Sequence, residues 1–398
     1  MKLRNQLLAL ICLLLFVALG VVYFRTVATA KPFGIILFVS DGMVARHLTA
    51  ARLYEGGADH RLTIDGFPHV ALVRNSANDF AVPDAASAGT ALATGKKVNH
   101  RRLSVDARGQ PLPTLLELAR EQGRRIGVVT NGRLTDPAPA AFYAHLADSR
   151  EDAAIAEQFT AAKLDLALGG GASSFQPDDK NSDKRPDLIA AMKTQGREIV
   201  RTKAELESAA AFQEKALVGL FSAAELAHAD QVESGSQQPS LADMVRRAIE
   251  LLETNRNGYV LIVDASLITR AAERNEGERV IQETAALDQA IATAVKYAGD
   301  KSLICAVGKH AIGGMSLNGF PLKQDHGVAL LGMYPEGYPS ITWATGPGGA
   351  KTEPTAFTTA SAVHTAEDVI AAGRGSGAEK LHGFIENTAI FELLREAL

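Results

Sequence analysis

Gly34-Ile35-Ile36-Leu37-Phe38-Val39, followed at once by Ser40-Asp41-Gly42-Met43, is the stretch on which the fold turns. The run is apolar without polar alternation, as a strand covered on both faces requires. Similar runs recur at Arg125–Val129, Leu164–Leu168, Tyr259–Val263, Leu303–Val307 and Val328–Met333. Helix-period stretches lie between them, at Pro113–Gln122, Arg150–Ala162, Leu241–Glu253 and Gly277–Tyr297. The alternation predicts an α/β fold: a doubly wound, mostly parallel sheet flanked by helices. Residues 172–187 read as a polar surface loop, and a Gly/Pro/Thr-rich insert near 315–362 reads as a small inserted subdomain.

Ligands in open α/β sheets sit beyond the carboxyl ends of the strands. Asp41 follows the first run, Asn131 and then Asp136 the second, Asp264 the fourth, and Lys309-His310 the fifth. Asp and Gly are ordinary turn residues after strands, so the set carries the signal and no single member does.

The chain has 398 residues, a formal charge of −4, 46% hydrophobic and 22% charged residues. This excludes a disordered protein and a multi-span membrane protein, and argues against nucleic acid as a partner held by bulk positive charge. Lys2 and Arg4 precede an apolar run over residues 7–24, and Ala28-Thr29-Ala30 offers a small-x-small cleavage pattern. Residues 1–30 therefore read as a signal peptide, or as an uncleaved N-terminal anchor, ahead of a domain at 31–398. The implied location is the periplasm or the exterior, with membrane anchoring through residues 7–24 as the alternative. Removing residues 1–30 takes Lys2, Arg4 and Arg25 and no acid, so the exported chain is more acidic than the total. Cys305 is then the sole cysteine, in an apolar run that suits a buried small hydrophobe.

Asp41-Gly42-Met43 with Leu48-Thr49-Ala50-Ala51-Arg52, then Val82-Pro83-Asp84 with Ala86 through Lys97, resemble the first two motifs of the alkaline phosphatase family. Gly127-Val128-Val129-Thr130, Asp136-Pro137-Ala138-Pro139-Ala140-Ala141-Phe142, Tyr143-Ala144-His145 and Ser149-Arg150 resemble the next block. His364-Thr365-Ala366-Glu367-Asp368-Val369 and Gly383 through Phe391 resemble the last. The resemblance implies phosphate-monoester hydrolysis with two zinc ions and a magnesium around a serine, an arginine holding the phosphoryl group, and a homodimer. Two-metal chemistry of this kind activates the nucleophile and stabilises the leaving oxygen.

Residue by residue, the resemblance breaks at the chemistry. The nucleophile position falls on Ala85; Ser87, the nearest hydroxyl, lies about 200° further round a helix. The metal ligands carried over are Asp41, Asp136, His310 and His364, with Asp264 standing in for a glutamate. Thr269 replaces an aspartate, Glu273 a histidine, Ala138 a threonine and Lys309 an aspartate. A fixed ammonium beside a dication costs several kcal/mol at intermediate dielectric, so one zinc site is expected empty, with Lys309 in its place pairing Asp41 and Glu273. Zinc and magnesium are thus cofactors by resemblance only.

Three readings follow. The leading one is a non-catalytic homologue that binds a small anion, such as a phosphate ester, through Arg150, Lys309, His310 and His364. The second is a rebuilt metal-free hydrolase, for glycosides or esters, using Asp41, Asp264 and Glu273 with Lys309. The third is residual phosphatase activity through a different nucleophile and metal set, with Ser87 as the substitute nucleophile; across the readings Arg150, Lys309, Glu273 and Ser87 are the catalytic candidates. His47, His60, His69, His100 and His382 read as packing or surface residues, Trp343 as a pocket or packing residue, and Gln324-Asp325-His326 as a substrate rim.

Overall fold

The computed structural model describes residues 2–23, 31–40, 43–177, 186–210, 215–232, 235–319, 332–334, 336–348 and 353–398. Asp41, residues 324–326 and most of the run at 328–333 lie outside them. Two units result, residues 1–32 and residues 33–398. The first contains helix α1, Lys2–Tyr23. Among the described residues no helix is long and apolar enough to cross a membrane.

In the second unit the strands are β1 (Gly34–Ser40), β2 (His69–Arg74), β3 (Arg125–Arg133), β4 (Leu166–Gly170), β5 (Glu198–Val200), β6 (Leu217–Leu220), β7 (Tyr259–Ala265), β8 (Leu303–Gly308), β9 (Ala311–Ile312), β10 (Ser316–Leu317), β11 (Ile341–Gly346), β12 (Thr355–Thr358), β13 (His364–Thr365), β14 (Val369–Arg374) and β15 (Gly383–Glu386). The helices are α2 (Ala45–Gly56), α3 (Ala85–Thr94), α4 (Leu115–Glu121), α5 (Pro137–Ala140), α6 (Asp152–Ala161), α7 (Leu188–Thr194), α8 (Lys203–Ser208), α9 (Leu241–Leu252), α10 (Leu267–Glu273), α11 (Gly277–Tyr297) and α12 (Asn387–Glu396).

Ten strands form the main sheet in the order β15-β2-β14-β8-β1-β7-β3-β4-β6-β5. The centre is parallel: β1 pairs with β7 and β8, and β7 with β3. Only β14 runs against its neighbours β8 and β2. Alternation along the central strands feeds two cores. Ile35, Leu37 and Val39 join Val260, Ile262, Leu303, Cys305 and Val307 on one side. Ile36 and Phe38 join Leu261, Val263, Ile304 and Ala306 on the other. Helices α3, α4, α6 and α12 cover the first face; α2, α9, α10 and α11 cover the second. Full burial of each Ile, Leu, Val or Phe stabilises by about 1.5–3 kcal/mol, which is why a run apolar on both faces settles in the middle of a sheet.

The start of the 172–187 segment, residues 172–175, is less superficial than expected. Ala172–Phe175 forms a 3-10 turn with Phe175 and Ser174 buried, because Phe175 packs against Phe159 of α6. Within the 315–362 segment, β10, β11 and β12 form a separate three-stranded sheet. Trp343 of β11 is buried there and donates its indole N–H to Glu353.

A half-buried ion pair ties the face containing α4 together. His145 places Nδ1 at 2.8 Å from the Ser104 carbonyl and Nε2 at 3.0 Å from Glu117. A carbonyl only accepts, so Nδ1 carries a proton, and full engagement of Nε2 with the carboxylate needs a second. Burial opposes that charge, yet the Glu117 and Ser104 contacts outweigh it and raise the His145 pKa above 6.5. Burial opposes Glu117 ionisation too, but His145 and Thr114 hold its pKa below 4.5. The His145 contribution is therefore complete below pH 6.5 and is lost as pH climbs through its raised folded value. The Glu117 contribution is complete above pH 4.5 and is lost on acidification. Wild-type urea midpoints should fall above pH 6.5, and His145→Gln should flatten that fall; an unchanged slope in the variant would sink this assignment.

Candidate functional site

The parallel register brings the strand ends together. Asp264 on β7 lies opposite Val39 of β1 and Thr130 of β3. Gly308 on β8 lies opposite Ser40, and the Lys309 amide continues the ladder by donating to the Ser40 carbonyl. Lys309 thus reaches the same edge as Asp264. Both are buried, and Lys309 Nζ stands 3.6 Å from Asp264 Oδ1. Asp264 Oδ2 accepts from Thr130 Oγ1 at 2.8 Å and from Ser266 Oγ.

Burial dominates the electrostatics of this pair. It pushes the Asp264 carboxyl up to about 7, with the Ser266 and Thr130 hydroxyls pulling the other way. It brings the Lys309 ammonium down to about 7. Two groups that each resist charge when buried face one another, and each offers the other a counter-charge.

His310 and His364 stack with ring centroids 4.0 Å apart. The two-stranded β9–β13 ladder, with His364 opposite Ile312, holds them together. Burial, then His364 and Lys309, push the His310 pKa well below its ordinary range. His364 bonds the Pro83 carbonyl through Nδ1 at 2.8 Å, which fixes the proton on that nitrogen in the neutral ring. That bond carries the histidine stack to the start of α3. Asp84 caps this helix by accepting from the Ser87 amide at 2.8 Å, and also accepts from the Arg101 amide at 2.7 Å.

Ala85 is the first residue of α3, so the position that resemblance assigns to the nucleophile bears a methyl group. Ser87 is buried, and its hydroxyl is engaged with the Asp84 backbone in the capping box. Its helical position puts it off the leading edge, and its chemistry here is that of a cap.

The remaining carboxylates are met by guanidinium groups. Asp136 is buried and takes Arg133 Nε at 3.0 Å, the Arg133 amide at 2.9 Å and Arg270 Nη2 at 3.4 Å. Glu273 pairs with Arg270 at 3.5 Å. Burial opposes the Arg270 charge, but Asp136, Glu273 and Glu225 raise its pKa overall. Gly132 makes this packing feasible: a Cβ there would meet Asp136 Oδ2 at 2.6 Å and Ser266 Cβ at 2.9 Å. Ala138 lies against α3, 3.2 Å from where a Cβ on Gly89 would sit.

Lys309 therefore pairs with Asp264 in the described residues, and Glu273 pairs with Arg270, in place of the Lys309–Glu273 contact expected from sequence. Arg150 is exposed at the rim, its fork on Asp148 with Nη2 at 2.5 Å. The guanidinium holds the Asp148 carboxyl down to about 2. Ser149 donates to the Arg101 carbonyl at 2.7 Å, which links this loop to the α3 start. Arg133, Arg270, Thr130 and Ser266 were not singled out by sequence. Arg270 had a signal, as it directly follows the altered ligand position Thr269.

A zinc or magnesium ion fits this donor set poorly. Near Asp264 the position for a dication is contested by a buried ammonium, and near Asp136 and Glu273 by Arg270. The Thr269 hydroxyl is a neutral, weak substitute for a carboxylate. Among the described residues no three His, Cys, Asp or Glu side chains converge as a metal-holding group.

The family model for alkaline phosphatase matches residues 33–336. Alkaline phosphatase 4 of Bacillus subtilis is 30% identical over 75% of this chain, which spans 65% of that relative. Streptomycin-6-phosphate phosphatase of Streptomyces griseus is 29% identical, with 92% of this chain and 90% of the relative covered. The fold matches Thermus thermophilus alkaline phosphatase at TM-score 0.76 and 24% identity, covering 93% of this chain and 92% of that one. The enzyme from the Antarctic bacterium TAB5 matches at TM-score 0.74 and 21% identity, covering 92% and 97%. The chain thus belongs to the alkaline phosphatase family.

Proposed function

We propose that this is an exported member of the family that binds a small phosphate-type anion and does not run the metal-dependent hydrolysis of phosphate monoesters. The observation that carries the reading is the buried Lys309–Asp264 pair, 3.6 Å apart. Ala85 at the head of α3 supports it from the other side. A variant of the TAB5 enzyme holds magnesium in its M3 site; here Lys309, Arg133 and Arg270 occupy the neighbourhood of the carboxylates instead. A protein cation offsets carboxylate charge, but it does not lower the pKa of a bound hydroxyl as a dication does.

The anion is received beside the α3 start, on the positive side of the helix dipole, with exposed Arg150 as the clamp and His364 beside it. Arg150 must exchange Asp148 for the ligand, a modest cost for an exposed pair. Asp264 and Glu273, the acids a metal-free hydrolase would use, both face cations, which favours binding over catalysis. Residues 1–30 serve export.

Calorimetry with inorganic phosphate tests the binding. One site per chain is expected, weakened about tenfold in Arg150→Ala, the scale of one charged hydrogen bond. Steady turnover of p-nitrophenyl phosphate with added zinc and magnesium would overturn the reading.

A further inference from the structure

A cavity of about 220 Å³ lies behind the cleft, lined by Asn131 at the end of β3, Leu226, Pro239, Leu267 at the head of α10, and Glu283 and Ala286 of α11. Glu283 is the charged residue in its wall, and its side chain is buried. Oε1 accepts from the Ala229 amide at 2.8 Å and from His228 Nδ1 at 3.1 Å. Among the described residues, Oε2 has a single long contact, Asn131 Nδ2 at 3.4 Å. Asn131 is itself committed, its Oδ1 accepting from the Leu267 amide at 3.2 Å. A buried carboxylate normally collects several short donors, and here one oxygen is served well and the other poorly. The rest of the wall is largely apolar.

We propose that this cavity is a binding site for a small primary amine with an apolar body, its ammonium group donating to Glu283 Oε2. The Nδ1–H of a neutral imidazole can make the His228 contact to Oε1. A charge-assisted N–H···O bond supplies the missing short donor, and Leu226, Pro239 and Leu267 take the apolar part. The volume sets the size class, below that of usual drug-sized pockets. The site is separate from the anion-binding reading and of opposite charge preference.

Benzylamine titrated into the full-length protein, followed by calorimetry, should bind at one site per chain. Benzyl alcohol, of the same shape but uncharged, should bind at least about tenfold more weakly. Glu283→Gln should weaken benzylamine by at least about tenfold. Ala286→Phe fills the cavity while leaving every Glu283 partner in place, and should abolish binding without loss of fold. Saturating inorganic phosphate should leave benzylamine bound. No saturable binding, equal binding of the alcohol, full binding to Ala286→Phe, or displacement by phosphate would each overturn the site.

Discussion

Lys309→Met should lower the unfolding free energy by about 3–5 kcal/mol, the cost of leaving a buried charge without its partner. The stranded group is Asp264, which is fully enclosed and retains Thr130 and Ser266 as hydroxyl donors. Those donors soften the loss but supply no counter-charge. Asp264 would then ionise only at higher pH, since burial already raises its pKa to about 7. A raised folded-state value for an acid destabilises the fold as pH rises above the unfolded value. The defect of Lys309→Met should therefore deepen from pH 5 to pH 8 in urea titrations. The double variant Lys309→Met, Asp264→Asn should recover most of the stability, because it removes both charges together. A double variant as weak as the single would show that the pair contributes through packing and not charge.

Ala85→Ser should leave p-nitrophenyl phosphate turnover at the rate of the wild type, even with zinc and magnesium supplied. On the proposed reading, restoring the hydroxyl restores one part of the site while Lys309, Thr269 and Glu273 stay as they are. An unactivated serine is a weak nucleophile, and the cations near Asp264 and Asp136 disfavour the ion that would activate it. Adding Lys309→Asp, Thr269→Asp and Glu273→His to Ala85→Ser should allow zinc to bind stoichiometrically, as measured by atomic absorption after dialysis. Turnover should appear only in that combined variant, and its gain should span orders of magnitude, as two-metal catalysis does. A single Ala85→Ser variant with zinc-dependent turnover would contradict the assignment of Lys309 as the ion's replacement.

Much of the architecture was legible because burial on both faces leaves a mark in one dimension. The runs at Gly34, Arg125, Tyr259 and Leu303 all became central strands, and α11 fell where its period placed it. β2, β5, β14 and β15 left weaker marks. β2 alternates buried and exposed residues near the sheet edge, β14 follows Val369-Ile370 with Ala, Ala and Gly, and β5 is three residues long. Phe175 was hidden inside a polar segment because its burial depends on Phe159, remote in sequence.

The sequence by itself determined the central strands, the order of the motifs, and the side chains at the positions the resemblance assigns to nucleophile and ligands, Ala85 and Ala138 among them. Only the tertiary structure decided which charge meets which. Lys309 could have faced Glu273 as readily as Asp264 until the parallel register set β8 beside β1 and β1 beside β7. Arg270 became the partner of Asp136 through contact between segments far apart in the chain. Pairing of buried ions varies steeply with separation and dielectric, both three-dimensional quantities, so a list of residues names the charges and leaves their partners to the fold.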